Sequence, residues 1–351
     1  MNNTKNHCGL LGLSWIEFAN PPGNKDVVSA MFTKAGMKCV ATHRDRPLKL
    51  FRQGRVQFVL NEDPESAAVA FAKQHGPSAT ATGFRVRDPK AAWTEAVRRG
   101  AQPFTSDVQG HASKSSSGWT GLPAVYGIGD SLIYFENEFD EGRWNWLSDE
   151  RNPVGFGMSV IDHLTNNVPR GEMQKWCQFY ENIFGFEERR FFDIKGKSTG
   201  LISKVMKSPC GTFSIPINEP TDAKSQIQEY LDEYKGSGIQ HIALLTEDIM
   251  QGVRDMLGQG IDFLAAPPST YYQAVPNRLP IVREPISDLQ RLGILVDGDD
   301  KGYLLQIFTK NQVGPIFLEV IQRRGHDGFG DGNFQALFDA MEEDQRLRGV
   351  L

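Results

Sequence analysis

The stretch Gly238-Ile-Gln-His-Ile-Ala-Leu244 poses the question that the rest of the chain answers. Strand alternation puts Ile239, His241, Ala243 and Leu245 on one face, so a basic side chain points at an apolar interior. Taken alone, the pattern reads as a hydrogen-bonded core histidine. Two other stretches change that reading. Ile161-Asp-His-Leu-Thr165 places Ile161, His163 and Thr165 on one face, and Gly314-Pro-Ile-Phe-Leu-Glu-Val-Ile321 does the same for Phe317, Glu319 and Ile321. Each of these apolar strands thus carries one ionisable group: His, His, Glu. A buried carboxylate without a partner is costly, so Glu319 needs a cation or strong donors. Two neutral imidazoles and one carboxylate with open positions form the facial triad of non-haem Fe(II) oxygenases.

Working outward, the pattern around these strands repeats. A strand at Leu13 to Phe18 is followed by a helix from about Lys25, with Val27, Val28, Met31 and Phe32 at helical spacing and Gly36 as its stop. A second unit opens at Thr82. Asp88 is placed to cap its helix, Pro89 suits the first turn, and Gly100 ends it. Ser106 to Gly121 reads as a Ser/Gly-rich loop, and a strand near Ser131 to Phe135 closes the half. After a linker at Leu147 to Gly157 the series restarts with the His163 strand and a helix stopped at Gly185. The His241 strand follows, with a helix capped by Thr246 and strands near Leu292 to Val296, Leu304 to Phe308 and Ile316 to Gln322. A final helix from Asn333 to Leu351 carries Phe334, Leu337, Phe338 and Met341 on one side.

Strand, helix, glycine stop and further strands therefore occur four times, twice in each half. One such unit cannot cover both faces of its sheet. Two units packed as a curved, half-open barrel can, with helices outside and a cavity inside. The expectation is an α+β chain of two tandem βαβββ-repeat open barrels, residues 1–150 and 151–351. In the first half Glu17 stands where His163 would be and Phe84 where His241 would be, with Glu136 near the closing strand. Without imidazoles that half reads as scaffold or oligomer interface, with no metal.

The 351 residues suffice for two domains, and 40% hydrophobic with 23% charged content is that of a soluble globular protein. A net charge of −5 with scattered Lys and Arg gives no reason to expect nucleic acid or a membrane surface. No leader or membrane span is evident, which points to the cytoplasm. The four cysteines lack Cys-x-x-Cys spacing and read as reduced thiols. His7, His43, His75, His111 and His326 lie in polar or Gly/Pro contexts and read as surface residues.

The motifs resemble one family over nearly the whole chain. Ile161-Asp-His-Leu-Thr, Phe192-Asp-Ile-Lys-Gly, Ile215-Pro-Ile-Asn-Glu-Pro, Gly238-Ile-Gln-His, Pro267-Pro-Ser-Thr-Tyr-Tyr, Leu304-Leu-Gln-Ile-Phe and Phe329-Gly-Asp-Gly-Asn-Phe are similar to those of the 4-hydroxyphenylpyruvate dioxygenases of the vicinal oxygen chelate superfamily. The resemblance implies tandem open barrels, Fe(II) held by His163, His241 and Glu319 in the C-terminal one, and often a homo-oligomer. It implies conversion of 4-hydroxyphenylpyruvate and O2 to homogentisate and CO2 in tyrosine degradation. As substrate-cavity residues it implies Ser203, Pro216, Asn218, Gln226, Gln240, Gln306, Phe308, Phe317, Phe329, Asn333 and Phe334. Gln240 precedes His241 and so faces the opposite way by strict alternation, which leaves two readings: support of the ligand from outside, or a local twist that turns it inward. The glycine-rich Gly325 to Gly332 segment suggests a hinge that makes the last helix a gate. Hydroxymandelate synthase uses the same substrate and metal, and non-catalytic ligand-sequestering proteins share the fold. Pro216-Ile-Asn218 and the Phe329 segment favour the dioxygenase over the former, and the full triad argues against the latter.

Overall fold

The computed structural model describes residues 5–24, 26–104 and 119–351. His111, most of the Ser106 to Gly121 loop and the helix start at Lys25 lie outside the described residues.

The first sheet is built from β1 (Leu10–Ala19), β2 (Lys38–His43), β3 (Leu48–Gln53), β4 (Val56–Asn61), β5 (Ser78–Val86), β6 (Ala124–Tyr126), β7 (Leu132–Glu136) and β8 (Trp144–Trp146). Their spatial order is β6-β7-β5-β1-β4-β3-β2-β8. The second sheet takes β9 (Met158–Asn167), β10 (Glu187–Lys195), β11 (Gly200–Lys207), β12 (Ser214–Pro220), β13 (Gly238–Thr246), β14 (Leu295–Gly298), β15 (Tyr303–Phe308) and β16 (Phe317–Arg324). Its order is β10-β11-β12-β9-β13-β16-β15-β14. The plan is the same in both. Each unit's first strand pairs in parallel with its last (β1 with β4, β5 with β7, β9 with β12, β13 with β16). The two first strands of a half then pair antiparallel, β1 with β5 and β9 with β13. The expected α+β architecture of tandem half-barrels is what the chain adopts.

Helices α1 (Val27–Lys34), α2 (Ala67–His75), α3 (Pro89–Arg98), α4 (Met173–Phe179), α5 (Gln226–Tyr234), α6 (Ile249–Gly258), α7 (Ser269–Arg278), α8 (Ile286–Leu292) and α9 (Asp331–Leu347) cover the sheets. Asp88 caps α3 by accepting from the Ala91 amide, with Pro89 in the first turn. α6 is capped by Asp248, which accepts from the Gln251 amide, rather than by Thr246. The Thr246 hydroxyl instead accepts from the Asp248 amide, one step before the cap. α2, α7 and α8 were not expected. The last ends at Leu292, so β14 starts at Leu295 and not at Leu292. The two largest apolar cores draw on both halves. One joins Phe18, Phe32 and Phe58 to Ile161, Leu164 and Ile242; the other joins Phe84 and Phe135 to Phe184, Phe213 and Ile215.

Strict alternation fails at the strands that matter most. The β9–β13 ladder slips between Ile239 and His241 and again between Ala243 and Leu244. An extra residue at a bulge turns the next residues of the strand to the other face. Ile161 and Ile239 therefore join the interdomain core with Ile242 and Leu164, while the histidines and Thr165 turn inward. Register also revises the counterparts in the first half. Glu17 pairs with Ala81 as His163 pairs with Ala243; His241 precedes Ala243, whereas Phe84 follows Ala81, so Phe84 lies on the wrong side of that pair to match His241. Ala81 pairs with Leu132 as Ala243 pairs with Glu319, so Leu132, not Glu136, matches Glu319.

Two of the histidines read as surface residues are buried. His43 packs edge-on against Trp144 at 5.3 Å, and His75 stacks on Tyr234 at 4.8 Å while its Nδ1 meets the Tyr234 carbonyl at 2.7 Å. Both are aromatic-lined contacts with partners distant in sequence, which a local reading of polar neighbours does not reveal. His7 and His326 are half-buried.

Candidate metal centre

β9, β13 and β16 are neighbours in the second sheet, and their inward residues converge. His163 Nε2 lies 3.0 Å from Glu319 Oε2, and His241 Nε2 lies 3.3 Å from the same oxygen. All three side chains are buried, and one ligand atom from each lies within 4.8 Å of the others. Among the described residues this is the sole grouping of that kind.

The outer nitrogen of each ring is already engaged. Asp162 accepts from His163 Nδ1 at 2.8 Å, and the Gln240 amide oxygen accepts from His241 Nδ1 at 3.1 Å. Protons on both Nδ1 atoms leave the inward Nε2 lone pairs free to bind a cation. The Thr165 hydroxyl lies 2.9 Å from His241 Nε2, a contact that a cation on that nitrogen would replace. The charges fit the same reading. Burial works against charge on His163, but Glu319 and Asp162 overcome it and hold the imidazolium up to about 9. Burial likewise opposes the Glu319 carboxylate, and His163 overcomes it, holding the carboxyl down to about 2. In His241 burial prevails and the ring is lowered toward neutral. The cluster attracts positive charge, and a divalent ion that displaces the His163 Nε2 proton meets two nitrogen lone pairs and a carboxylate there. The donor set fits a transition metal with open positions.

The cavity on this cluster is lined by Phe192, Ser203, Val205, Pro216, Asn218, Gln306, Phe308, Phe329, Phe334 and Leu337, besides His163, Thr165, His241 and Glu319. Ser203 and Asn218 face each other across the β11–β12 ladder. Both are buried, and the Ser203 hydroxyl and the Asn218 amide oxygen have no protein partner. Such groups call for a ligand or water. The remaining expected residues lie farther back. Phe317 stacks on the His241 ring at 4.8 Å and packs with Leu295, Phe308 and Leu337. Gln226 and Gln240 line an adjacent cavity beneath α9. Gln306 lines the cavity, but its amide is spent as a bridge: Nε2 donates to Glu319 Oε1 and Oε1 accepts from Asn333, both at 2.9 Å. Asn333 in turn accepts from the Tyr271 hydroxyl at 2.8 Å. Gly330 adopts φ of +69° here, and a Cβ on it would sit 2.5 Å from the Gln306 amide oxygen.

Sequence reasoning missed Phe192, Val205 and Leu337 as lining residues, and Asp162, Arg323 and Tyr271 behind them. Phe192 and Tyr271 stood in recognisable motifs, yet nothing in a motif says which way a side chain faces. Arg323 is invisible locally: it reaches Asp162 across 161 positions of sequence.

Residues 4–150 match the family model for the N-terminal part of hydroxyphenylpyruvate dioxygenase. Residues 160–285 match that of the glyoxalase/bleomycin resistance protein/dioxygenase superfamily. A 4-hydroxyphenylpyruvate dioxygenase of Legionella pneumophila (strain Corby) is 48% identical over 99% of this chain and 98% of its own length. One from Pseudomonas sp. (strain P.J. 874) is 44% identical, again over 99% and 98%. Among solved structures, a triple mutant of 4-hydroxymandelate synthase from Streptomyces coelicolor superposes with a TM-score of 0.81 at 25% identity, covering 96% of this chain and 99% of that one. No helix among the described residues is long and apolar enough to cross a membrane. Full-length similarity at this level places the chain, without ambiguity, in the 4-hydroxyphenylpyruvate dioxygenase family.

Proposed function

We propose that the chain is an Fe(II)-dependent dioxygenase that converts 4-hydroxyphenylpyruvate and O2 to homogentisate and CO2. The steps are oxidative decarboxylation, ring hydroxylation and side-chain migration, and the setting is tyrosine catabolism in the cytoplasm. The observation that carries this is the juxtaposition of a buried His–His–Glu cluster with an aromatic cavity holding two unpartnered polar groups. His163, His241 and Glu319 would hold the iron, which would supply a site where an α-keto acid and O2 can meet and through which electrons from the substrate reach O2.

The protein's own residues orient and enclose. The Ser203 hydroxyl and Asn218 amide oxygen hold a polar end of the substrate. Phe192, Phe308, Phe329 and Phe334 confine its ring, and Pro216 stiffens the strand between. Gln306 and Asn333 hold the Glu319 carboxylate in place, while Gln240 and Phe317 hold the His241 ring. Phe329, Phe334 and Leu337, from the last loop and helix, close one wall against water. Residues 151–351 then form the catalytic domain with α9 as its gate. Residues 1–150 serve as a metal-free scaffold and the interface of a homo-oligomer.

4-Hydroxymandelate synthase is the second reading, because such an enzyme shares this overall fold. Aerobic incubation of the Fe(II)-loaded protein with 4-hydroxyphenylpyruvate, followed by chromatography of the products, decides between them. Homogentisate with one CO2 per O2 consumed is expected. Hydroxymandelate as the main product selects the synthase, and absence of substrate-dependent O2 uptake leaves a ligand-binding protein.

A further inference from the structure

Behind His163 stands a charge pair that also grips the last loop. Asp162 is the residue before His163, and the bulged strand turns its carboxylate back onto the ring's outer face. Arg323, near the end of β16, closes a two-point fork on that carboxylate: Nε donates to Oδ2 and Nη2 to Oδ1, each at 2.8 Å. The remaining nitrogen of the guanidinium points the other way. Nη1 donates to the His326 carbonyl at 3.0 Å and to the Gly328 carbonyl at 2.7 Å. The cationic carbon also lies 5.7 Å from the Phe329 ring, which itself packs 5.2 Å from the His163 ring. Four donated bonds therefore run from one side chain, two to the support of a metal ligand and two to the segment that leads into α9. The pair is mostly shielded from water, with side-chain exposures of 17% and 13%.

Only arginine satisfies both ends at once. A planar fork meets a carboxylate along one edge and leaves a further nitrogen free, whereas an ammonium is a single point charge that cannot reach both partners. His241 has no equivalent: its outer nitrogen rests on the neutral Gln240 amide. The asymmetry matters because the 325–330 loop carries Phe329 to the cavity wall.

We propose that Arg323 is a positioning residue that couples occupancy of the metal centre to the order of the 325–330 loop and the start of α9, acting through Asp162. The proposal rests on the reading of His163, His241 and Glu319 as metal ligands. Orienting the His163 ring for a cation fixes Asp162, Asp162 fixes the guanidinium plane, and the plane fixes the two carbonyls. Whatever loosens the loop in turn frees the His163 ring to rotate.

The test uses Co(II) as a probe on the full-length apo-protein, without substrate. In the wild type, backbone amides 325–334 should exchange with deuterium several-fold more slowly once Co(II) is bound. In Arg323→Lys and in Asp162→Asn, Co(II) affinity should fall about 10- to 100-fold, as for other groups that support a metal ligand. The visible Co(II) spectrum should shift, and the metal-dependent protection should disappear. The double variant should lose no more affinity than the weaker single one, because both substitutions break one linkage. Unchanged exchange in wild type on Co(II) binding overturns the coupling, and this arm needs no variant to fold. Additive affinity losses, or an Arg323→Lys protein with wild-type affinity and spectrum, overturn it too. A wild-type chain that binds no Co(II) overturns the metal reading itself, and with it the coupling.

Discussion

The two half-barrels share a strand plan and differ in what fills them. In the first, the concave face is packed with rings. Trp15 lies 5.3 Å from Trp119 and 5.6 Å from Tyr134, and Trp119 lies 5.7 Å from Trp144. The carboxylate in the His163 position, Glu17, is held by neutral donors: Asn61 Nδ2 at 2.8 Å and the Thr80 hydroxyl at 2.9 Å. In the second, Ser203, Asn218 and the triad face a cavity, and Glu319 is surrounded by imidazoles. The same fold thus treats a buried glutamate in two ways. Burial raises the Glu17 carboxyl above the usual range, with Asn61 and Thr80 only moderating it, whereas Glu319 is held down to about 2. A glutamate on an apolar strand is therefore no evidence for a metal. Imidazoles beside it are what distinguish the two halves.

The largest effects should come from removing that distinction. His163→Ala, His241→Ala and Glu319→Ala are each expected to reduce turnover to background and to drop bound iron well below one per chain. The circular dichroism spectrum should remain that of the wild type, since the interdomain cores are untouched. Iron content and product formation, measured on the same preparations, check this. Full activity in any one variant removes that residue from the metal centre.

The contrast also explains how much the sequence disclosed. The fourfold unit was legible because strand, helix and glycine stop are local signals, and Asp88-Pro89 marks a helix start wherever it occurs. The triad was legible because an ionisable group amid Ile, Ala and Leu stands out. Facing was not legible wherever a bulge intervened, since strict alternation places Ile161 and Ile239 on the side opposite to the one they occupy. Nor were partners brought from afar. Arg323, Tyr271 and the Trp119–Trp144 packing depend on the sheet closing, and no window of sequence contains both members. The expected Phe84 counterpart failed for a related reason: which residue of β5 lies beside Glu17 is set by the β1–β5 register, which no count along a single strand supplies.

A smaller effect is expected where α9 is fastened over the second half-barrel, for which the first has no counterpart helix among the described residues. Glu342 is buried, and its carboxylate accepts from the Lys197, Ser198 and Thr199 amides at 2.8 to 3.0 Å. Glu342→Ala leaves those amides without an acceptor, at a cost of about 1–3 kcal/mol for docking the helix. A shift of that size corresponds to about 5- to 150-fold in the closed-to-open ratio. O2 consumed per homogentisate should rise while iron content stays near one per chain. Removing residues 331–351 should raise that ratio more strongly, with some loss of iron because Asn333 no longer steadies Gln306 and Glu319. Unchanged stoichiometry in both would mean that the helix only packs.

Cavity shape should matter less for rate and more for outcome. Phe329 lies against the His163 ring, and Pro216 lines the same cavity. Phe329→Val or Pro216→Thr relaxes the confinement of the substrate ring. Because a misplacement of about 1 Å can cost roughly 10²-fold, the benzylic carbon then competes with the ring for oxidation. A measurable fraction of hydroxymandelate beside homogentisate is expected on chromatography. Homogentisate alone, at reduced rate, would mean that these residues do not set the site of attack.

The smallest effect belongs to Glu17, and it separates the two glutamates by sign. Its carboxyl is raised in the folded state, chiefly by burial, while in the unfolded chain it titrates near the ordinary value of about 4.3. Between those two values the folded state binds the extra proton, so stability falls as pH rises through that window and then levels off. Glu17→Gln keeps an oxygen for Asn61 and an amide for Thr80 but never ionises. It should match the wild type in acid, below the unfolded value, and melt higher at neutral pH by an amount that grows across the window. Glu319→Gln should show no such gain, because its carboxylate is lowered rather than raised and loses its attraction to His163. Melting curves of both variants and the wild type from about pH 4 to 8, on metal-free protein, make the comparison. If Glu17→Gln is no more stable than wild type at neutral pH, then Glu17 is ionised at no cost, and the first half-barrel tolerates a charge as readily as the second.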